Sequence, residues 1–214
     1  MSVRWALLLA PALSACATVP SSAPAPLRAS GPADDGERRI MAAYPGIVRR
    51  VGPTLFIGDT ELTDVSCDVD VDTCVWFRVR DALIGNSLFG VDVGYYERTE
   101  YAVAARGSSW ITTGEKPVIS PDGKHLAAAV ANEGHETSTE GFHLWAVEGL
   151  ELRRRIVREA LSYTADLRWR GDECVSFTAI EGYFDGVPKP RSTWYVVVDP
   201  PEWRLTRIRD SRCR

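Results

Sequence analysis

Apolar and polar positions alternate in short runs over most of the chain beyond residue 46. Runs of this period-two type, rich in β-branched and aromatic residues, predict strands over 54–57, 75–79, 88–97, 99–105, 124–131, 141–147, 151–158, 166–170, 173–181, 191–199 and 202–208. Gly, Pro, Asp and Asn separate them, as turn chemistry requires. Helical periodicity is scarce. One short helix is expected over 35–44, with Asp35 as its cap and Pro45 ending it. Residues 153–161 also carry an amphipathic spacing, although the alternation that begins at Leu150 and Leu152 fits a strand equally well. The pattern predicts an all-β, antiparallel body in one domain, long enough from Gly46 to Arg214 to bury a core.

The N-terminus follows different rules. Arg4 precedes an apolar run from Trp5 to Leu13 that is too short to cross a bilayer, and Ala17 to Gly36 is dominated by Ala, Pro and Ser. That second stretch has too little apolar surface to offset the entropy of ordering, so it reads as a disordered spacer. Between them stands Leu13-Ser14-Ala15-Cys16, which resembles the lipobox of bacterial lipoproteins. The resemblance implies a signal peptide over 1–15, a tether over 16–36 and a folded domain over 37–214. It also implies that Cys16 carries a thioether-linked diacylglycerol and an acylated amine, because several acyl chains together hold a protein at a membrane. Ala17 stands where an inner-membrane retention signal in enterobacterial members of this class has Asp. The implied location is therefore the outer membrane, facing the periplasm.

A longer period runs through the second half. Pro117-Val118-Ile119-Ser120-Pro121-Asp122-Gly123-Lys124-His125-Leu126 resembles the inner hairpin of a blade in WD-repeat and Tol-type β-propellers. Pro presets φ, and Asp and Gly supply the turn conformations that reverse the chain. Phe142 to Val147 and Leu150 to Ile156 would follow as third and fourth strands. Roughly 50 residues on, the plan recurs, a spacing near that of propeller repeats. Leu167 to Val175 takes the place of the hairpin, then Thr193 to Val198 and Trp203 to Ile208 supply the remaining strands. A further unit is expected over 75–105. The resemblance implies about three four-stranded units, open or incomplete, since closed propellers need about four to eight blades. The alternative is a two-sheet β-sandwich with a coincidental turn.

Composition adds two constraints. The chain has 29 acidic and 25 basic side chains, net −4, so no excess positive charge points to nucleic acid. Beyond Cys16 there are four cysteines, Cys67, Cys74, Cys174 and Cys213, an even number suited to an oxidising compartment. Three pairings are open. Cys67 with Cys74 would close a hairpin-sized loop, and Cys174 with Cys213 would clip the C-terminal tail to a strand. No Cys-x-x-Cys spacing supports a zinc site.

Candidate chemistry is sparse. Asp68, Asp70 and Asp72 alternate with valines, so an extended strand would place three carboxylates on one face, a donor set suited to a hard cation. Thr73 and Val79 nevertheless stand where an EF-hand loop needs Gly and Glu. His135 and His143, with neighbouring glutamates, are candidate zinc ligands without a His-Glu-x-x-His spacing. Ser120, Asp122 and His125 lie within one tight turn, whereas a catalytic triad is assembled from separated elements. No catalytic residue and no cofactor is expected.

Two long connections, 132–140 and 182–190, hold equivalent places in the two clearest units. The second carries Tyr183, Phe184 and Asp185, residue types that anchor interfaces. The reading is a lipid-anchored envelope protein whose β domain is a non-catalytic protein-interaction module, with an envelope protein as partner. The alternative is a periplasmic hydrolase or metal-dependent enzyme with a site near His135 and His143.

Overall fold

The computed structural model describes residues 33–68, 73–96, 98–107, 109–130, 141–158, 161–181, 190–199 and 202–213. Among the described residues it is all-β apart from one helix and a terminal 3-10 turn. The helix, α1 (Asp35–Ala43), is capped by Asp34, whose carboxylate accepts from the Glu37 backbone N–H at 2.8 Å. The cap thus falls one residue earlier than the sequence suggests, and it leaves Asp35 and Glu37 in the first turn, where carboxylates favour the helix dipole.

Four antiparallel sheets follow. The first has three strands, β1 (Val48–Val51), β2 (Thr54–Ile57) and β3 (Thr60–Thr63), paired in that order. The second is β4 (Trp76–Ile84), β5 (Leu88–Gly94), β6 (Thr99–Ala105) and β7 (Trp110–Gly114). The third is β8 (Val118–Ile119), β9 (His125–Val130), β10 (Gly141–Glu148) and β11 (Glu151–Arg158). The fourth is β12 (Leu161–Trp169), β13 (Cys174–Glu181), β14 (Ser192–Asp199) and β15 (Glu202–Thr206). Each is an up-and-down meander with strands in chain order, and none closes into a barrel. The three four-stranded units are the propeller-like ones that the repeat implied, here in an open array rather than a two-sheet sandwich. The ambiguous stretch after Leu150 is strand β11.

Three apolar layers lie between successive sheets. Val48, Leu55, Ile57 and Leu62 of the first sheet meet Phe77, Val79, Phe89 and Val91 of the second, with Ile40, Met41 and Tyr44 packed alongside. Leu88, Val103 and Ala105 of the second meet Leu126, Ala128 and Trp145 of the third. Phe142 and Leu144 of the third meet Val175, Phe177 and Val196 of the fourth, where the Phe142 and Phe177 rings stack at 4.4 Å. Period-two alternation explains this: neighbouring residues on one strand serve the layers on its two sides. On β10, Leu144 faces forward in the array and Trp145 backward. Close sheet packing also needs glycines at two positions. A Cβ on Gly94 would lie 1.8 Å from the ring of Trp76, its cross-strand partner, and one on Gly90 would lie 1.6 Å from the Tyr101 hydroxyl oxygen.

Charge is buried at the first layer. Glu37 of α1 is 0% exposed and pairs with Arg50 at 2.9 Å, and Arg50 in turn pairs with Asp64 at 3.1 Å. Arg78 completes the group, 3.2 Å from Asp64 and 3.9 Å from Glu37. Asp64 also accepts from the Phe77 backbone N–H at 2.8 Å, and Arg50 and Arg78 both donate to the Phe77 carbonyl. Two acids and two bases thus balance one another while fixing α1 to β1 and β4. Disulfides join Cys67 to Cys74, between β3 and β4, and Cys174 to Cys213, on the fourth sheet, with Cα separations of 4.6 and 5.3 Å.

Candidate functional site

The fourth sheet ends the array, and its two faces differ in chemistry. Leu167, Trp169, Val175, Phe177, Trp194, Val196, Trp203 and Leu205 turn inward to the third sheet. Their alternates turn outward: Arg168 on β12 and Arg170 just after it, Ser176 and Thr178 on β13, Thr193 and Tyr195 on β14, Arg204 and Thr206 on β15. Cross-strand pairing aligns Arg168, Ser176, Tyr195 and Thr206 in one row, with Thr178 and Thr193 as partners on an adjacent row. A face of arginines and hydroxyls is not one on which a further apolar sheet would stack, and a terminal repeat needs such a polar outer face.

Local backbone irregularity sets the arginines. The β12–β13 register shifts twice, on either side of Ala165, and Asp166 within the second shift has φ of +55°. Asp tolerates this left-handed region better than most non-glycine residues. Bulges of this kind re-aim side chains. Beyond them, Leu167-Arg168-Trp169-Arg170 resumes strict alternation.

The C-terminal tail then folds back over this outer face. The Cys174–Cys213 disulfide pins it, packed against Val197 and Tyr195. The tail is closed by a 3-10 turn, Ser211–Cys213, with the Cys213 N–H donating to the Asp210 carbonyl at 3.0 Å. Asp210 accepts from the Arg212 backbone N–H at 3.0 Å and from the guanidiniums of Arg212, at 3.2 Å, and Arg204, at 3.0 Å. Arg212 above all holds the Asp210 carboxyl down at about 2.

Under the tail lies a half-open hollow of about 210 Å³. Arg168, Arg170 and Arg209 line it together with Asp166, Ser176, Thr178, Thr193 and Tyr195. Arg170 donates to the Ser176 hydroxyl at 3.2 Å, and Arg209 donates to the Cys213 carbonyl at 3.1 Å. Among the described residues, none of these three guanidiniums is paired with a carboxylate. The tail's own acid is committed to Arg204 and Arg212. Asp166 is the one carboxylate in the lining, so three positive charges face one negative.

A second groove, of about 580 Å³, lies between the third and fourth sheets and is lined by Lys124, His125, Glu148, Arg155 and Trp203. Here the cations are compensated: Lys124 pairs with Asp122 at 3.5 Å, and Arg155 with Glu148. The His125 ring stacks on Trp169 at 5.9 Å and meets Trp203 edge-on at 4.8 Å. Burial lowers its pKa below the usual 6.5. The Ser120 hydroxyl donates to Asp122 at 2.7 Å and accepts the His125 backbone N–H at 2.9 Å. Ser120 and Asp122 therefore hold the turn together, while the imidazole points to the tryptophans.

Of the residues singled out from sequence, the four cysteines are brought together as two pairs, and few of the others lie among the described residues. Asp68 is exposed and its backbone N–H donates to the Ser66 hydroxyl at 3.2 Å, while Asp70 and Asp72 lie outside the described residues. His143 is buried on β10, its ring stacked on Trp145 at 5.5 Å, and His135 lies outside the described residues. Cys16 and Tyr183, Phe184 and Asp185 also fall outside them. Among the described residues no group of three or more His, Cys, Asp or Glu side chains is placed to hold a metal ion. The arginine hollow escaped sequence reading, although two signals were present: the Arg-x-Arg alternation on β12 and a cystine that returns the tail to β13. No family model matches this chain, and no curated protein or solved structure is significantly similar to it.

Proposed function

We propose that this chain is a bacterial envelope lipoprotein, anchored through lipid on Cys16 and facing the periplasm from the outer membrane, whose β body is a non-catalytic binding module for an envelope protein. The lipobox residues Leu13 to Cys16 and the Ala/Pro/Ser-rich stretch after them support the anchor. Two cystines fit a compartment that permits disulfides. The observation that carries the binding role is the hollow on the outer face of the fourth sheet. A cross-linked tail there holds uncompensated arginines over a floor of hydroxyls, an arrangement that costs self-repulsion and adds nothing to the core.

The test is mild cross-linking of envelopes followed by recovery of the full-length protein. A partner should be captured by the parent and lost when Arg168 and Arg209 are both replaced by Gln. Tyr183→Ala/Phe184→Ala, on the connection between β13 and β14 of the same sheet, is the second variant to compare. Equal recovery from the parent and both variants would remove the binding role from this sheet.

A further inference from the structure

We infer that the hollow under the C-terminal tail is a site for a phosphoryl group, a dianionic phosphate borne by its ligand; the inference deepens the binding role proposed for this same face and rests on it. Charge comes first. Arg168, Arg170 and Arg209 oppose Asp166 alone among the lining side chains, a local excess of two positive charges. A phosphate monoester carries about −1.5 to −2 at neutral pH and offers three strong acceptor oxygens. A carboxylate carries one charge and two oxygens, so it leaves one of the two excess positive charges without a counterion.

Donor geometry agrees. The arginines come from two separate segments, the end of β12 with the turn after it and the tail, so they approach a central group from more than one side. Guanidinium forks suit phosphate oxygens, and the hydroxyls of Thr193 and Tyr195 supply neutral donors from the floor, the Thr178 hydroxyl being given to the Ala165 carbonyl at 3.2 Å. Size narrows the ligand further. A half-open hollow of about 210 Å³ has room for a phosphoryl group and its first carbons. The disulfide has a defined part in this: it fixes the tail that carries Arg209 beside Arg168 and Arg170.

Isothermal titration of the purified full-length chain with inorganic phosphate, and with acetate in parallel, tests the assignment. Saturable one-site phosphate binding is expected, at least tenfold tighter than acetate. Arg168→Gln and Arg209→Gln should each weaken it at least tenfold while the melting temperature stays at the parental value, since both side chains are solvent-facing. Displacement of phosphate by dihexanoyl phosphatidate and by glycerol 3-phosphate then distinguishes the sources. Tenfold better displacement by the lipid assigns a lipid headgroup, and equal displacement assigns a soluble phosphoester. No saturable phosphate binding, equal affinity for acetate, or binding unchanged in both variants overturns the assignment. If phosphate fails while partner capture still depends on Arg168 and Arg209, the phosphoryl assignment alone falls and the binding module stands.

Discussion

His125 rests between two indole rings, and burial there disfavours its imidazolium form. The sign of the consequence is fixed by linkage. With the native pKa below 6.5, the unfolded chain binds the proton more readily, so stability is highest above that value and falls as pH drops through it. Thermal melts between pH 7.5 and 5 should show this loss, and His125→Gln should flatten it. Asp34 and Asp122 are lowered from 3.8, so their contributions fade only under much more acid conditions and do not blur the test. For Asp34 the main cause is the Glu37 backbone N–H; for Asp122 burial pulls upward but the Ser120 and Lys124 donors outweigh it. At Glu37 and Asp64 the stakes are larger. Removing either carboxylate strands buried guanidiniums, so Glu37→Ala or Asp64→Ala should cost about 3–5 kcal/mol in urea denaturation.

At the scale of elements, the two cystines differ in what they close. In the chain-entropy picture the 39-residue span from Cys174 to Cys213 is worth about 4 kcal/mol and the seven-residue span from Cys67 to Cys74 about 2. Cys174→Ser/Cys213→Ser should therefore lower the denaturation midpoint more than Cys67→Ser/Cys74→Ser, and it alone should release the tail that carries Arg209. Proteolysis after Arg204, followed by mass spectrometry, reads that release. Strands with clean alternation between clear turns were legible in the chain: the helix, β2, β5, β6, β11 and the hairpins of the third and fourth sheets all emerge from pattern and turn chemistry. Those that were not have identifiable reasons. Strand β1 is Val-Arg-Arg-Val, and its Arg50 is buried in an ion pair, so a charged position stands where alternation expects an apolar one. Strands β3 and β7 are short and threonine-rich, with few apolar positions to establish a period. The hollow was hidden for a different reason: Arg209 reaches β12 only through a cystine and a chain reversal, neither of which periodicity encodes.

For the molecule as a whole, the anchor makes the simplest expectation. Cys16→Ser should move the protein from the membrane to the soluble fraction, and labelled palmitate should mark the parent alone; equal fractionation would remove the lipid from the account. The array itself has two dissimilar ends. At one, α1 is bound by the Glu37 and Asp64 ion pairs; at the other, a polar face lies beneath a clipped tail. The two ends carry opposite arrangements: Glu37 and Asp64 neutralise Arg50 and Arg78 inside the first layer, whereas Arg168, Arg170 and Arg209 line an open hollow on the fourth sheet. A ligand that enters the hollow therefore meets paired strands on one side and a cystine-held tail on the other, so it docks against a fixed frame rather than a swinging loop.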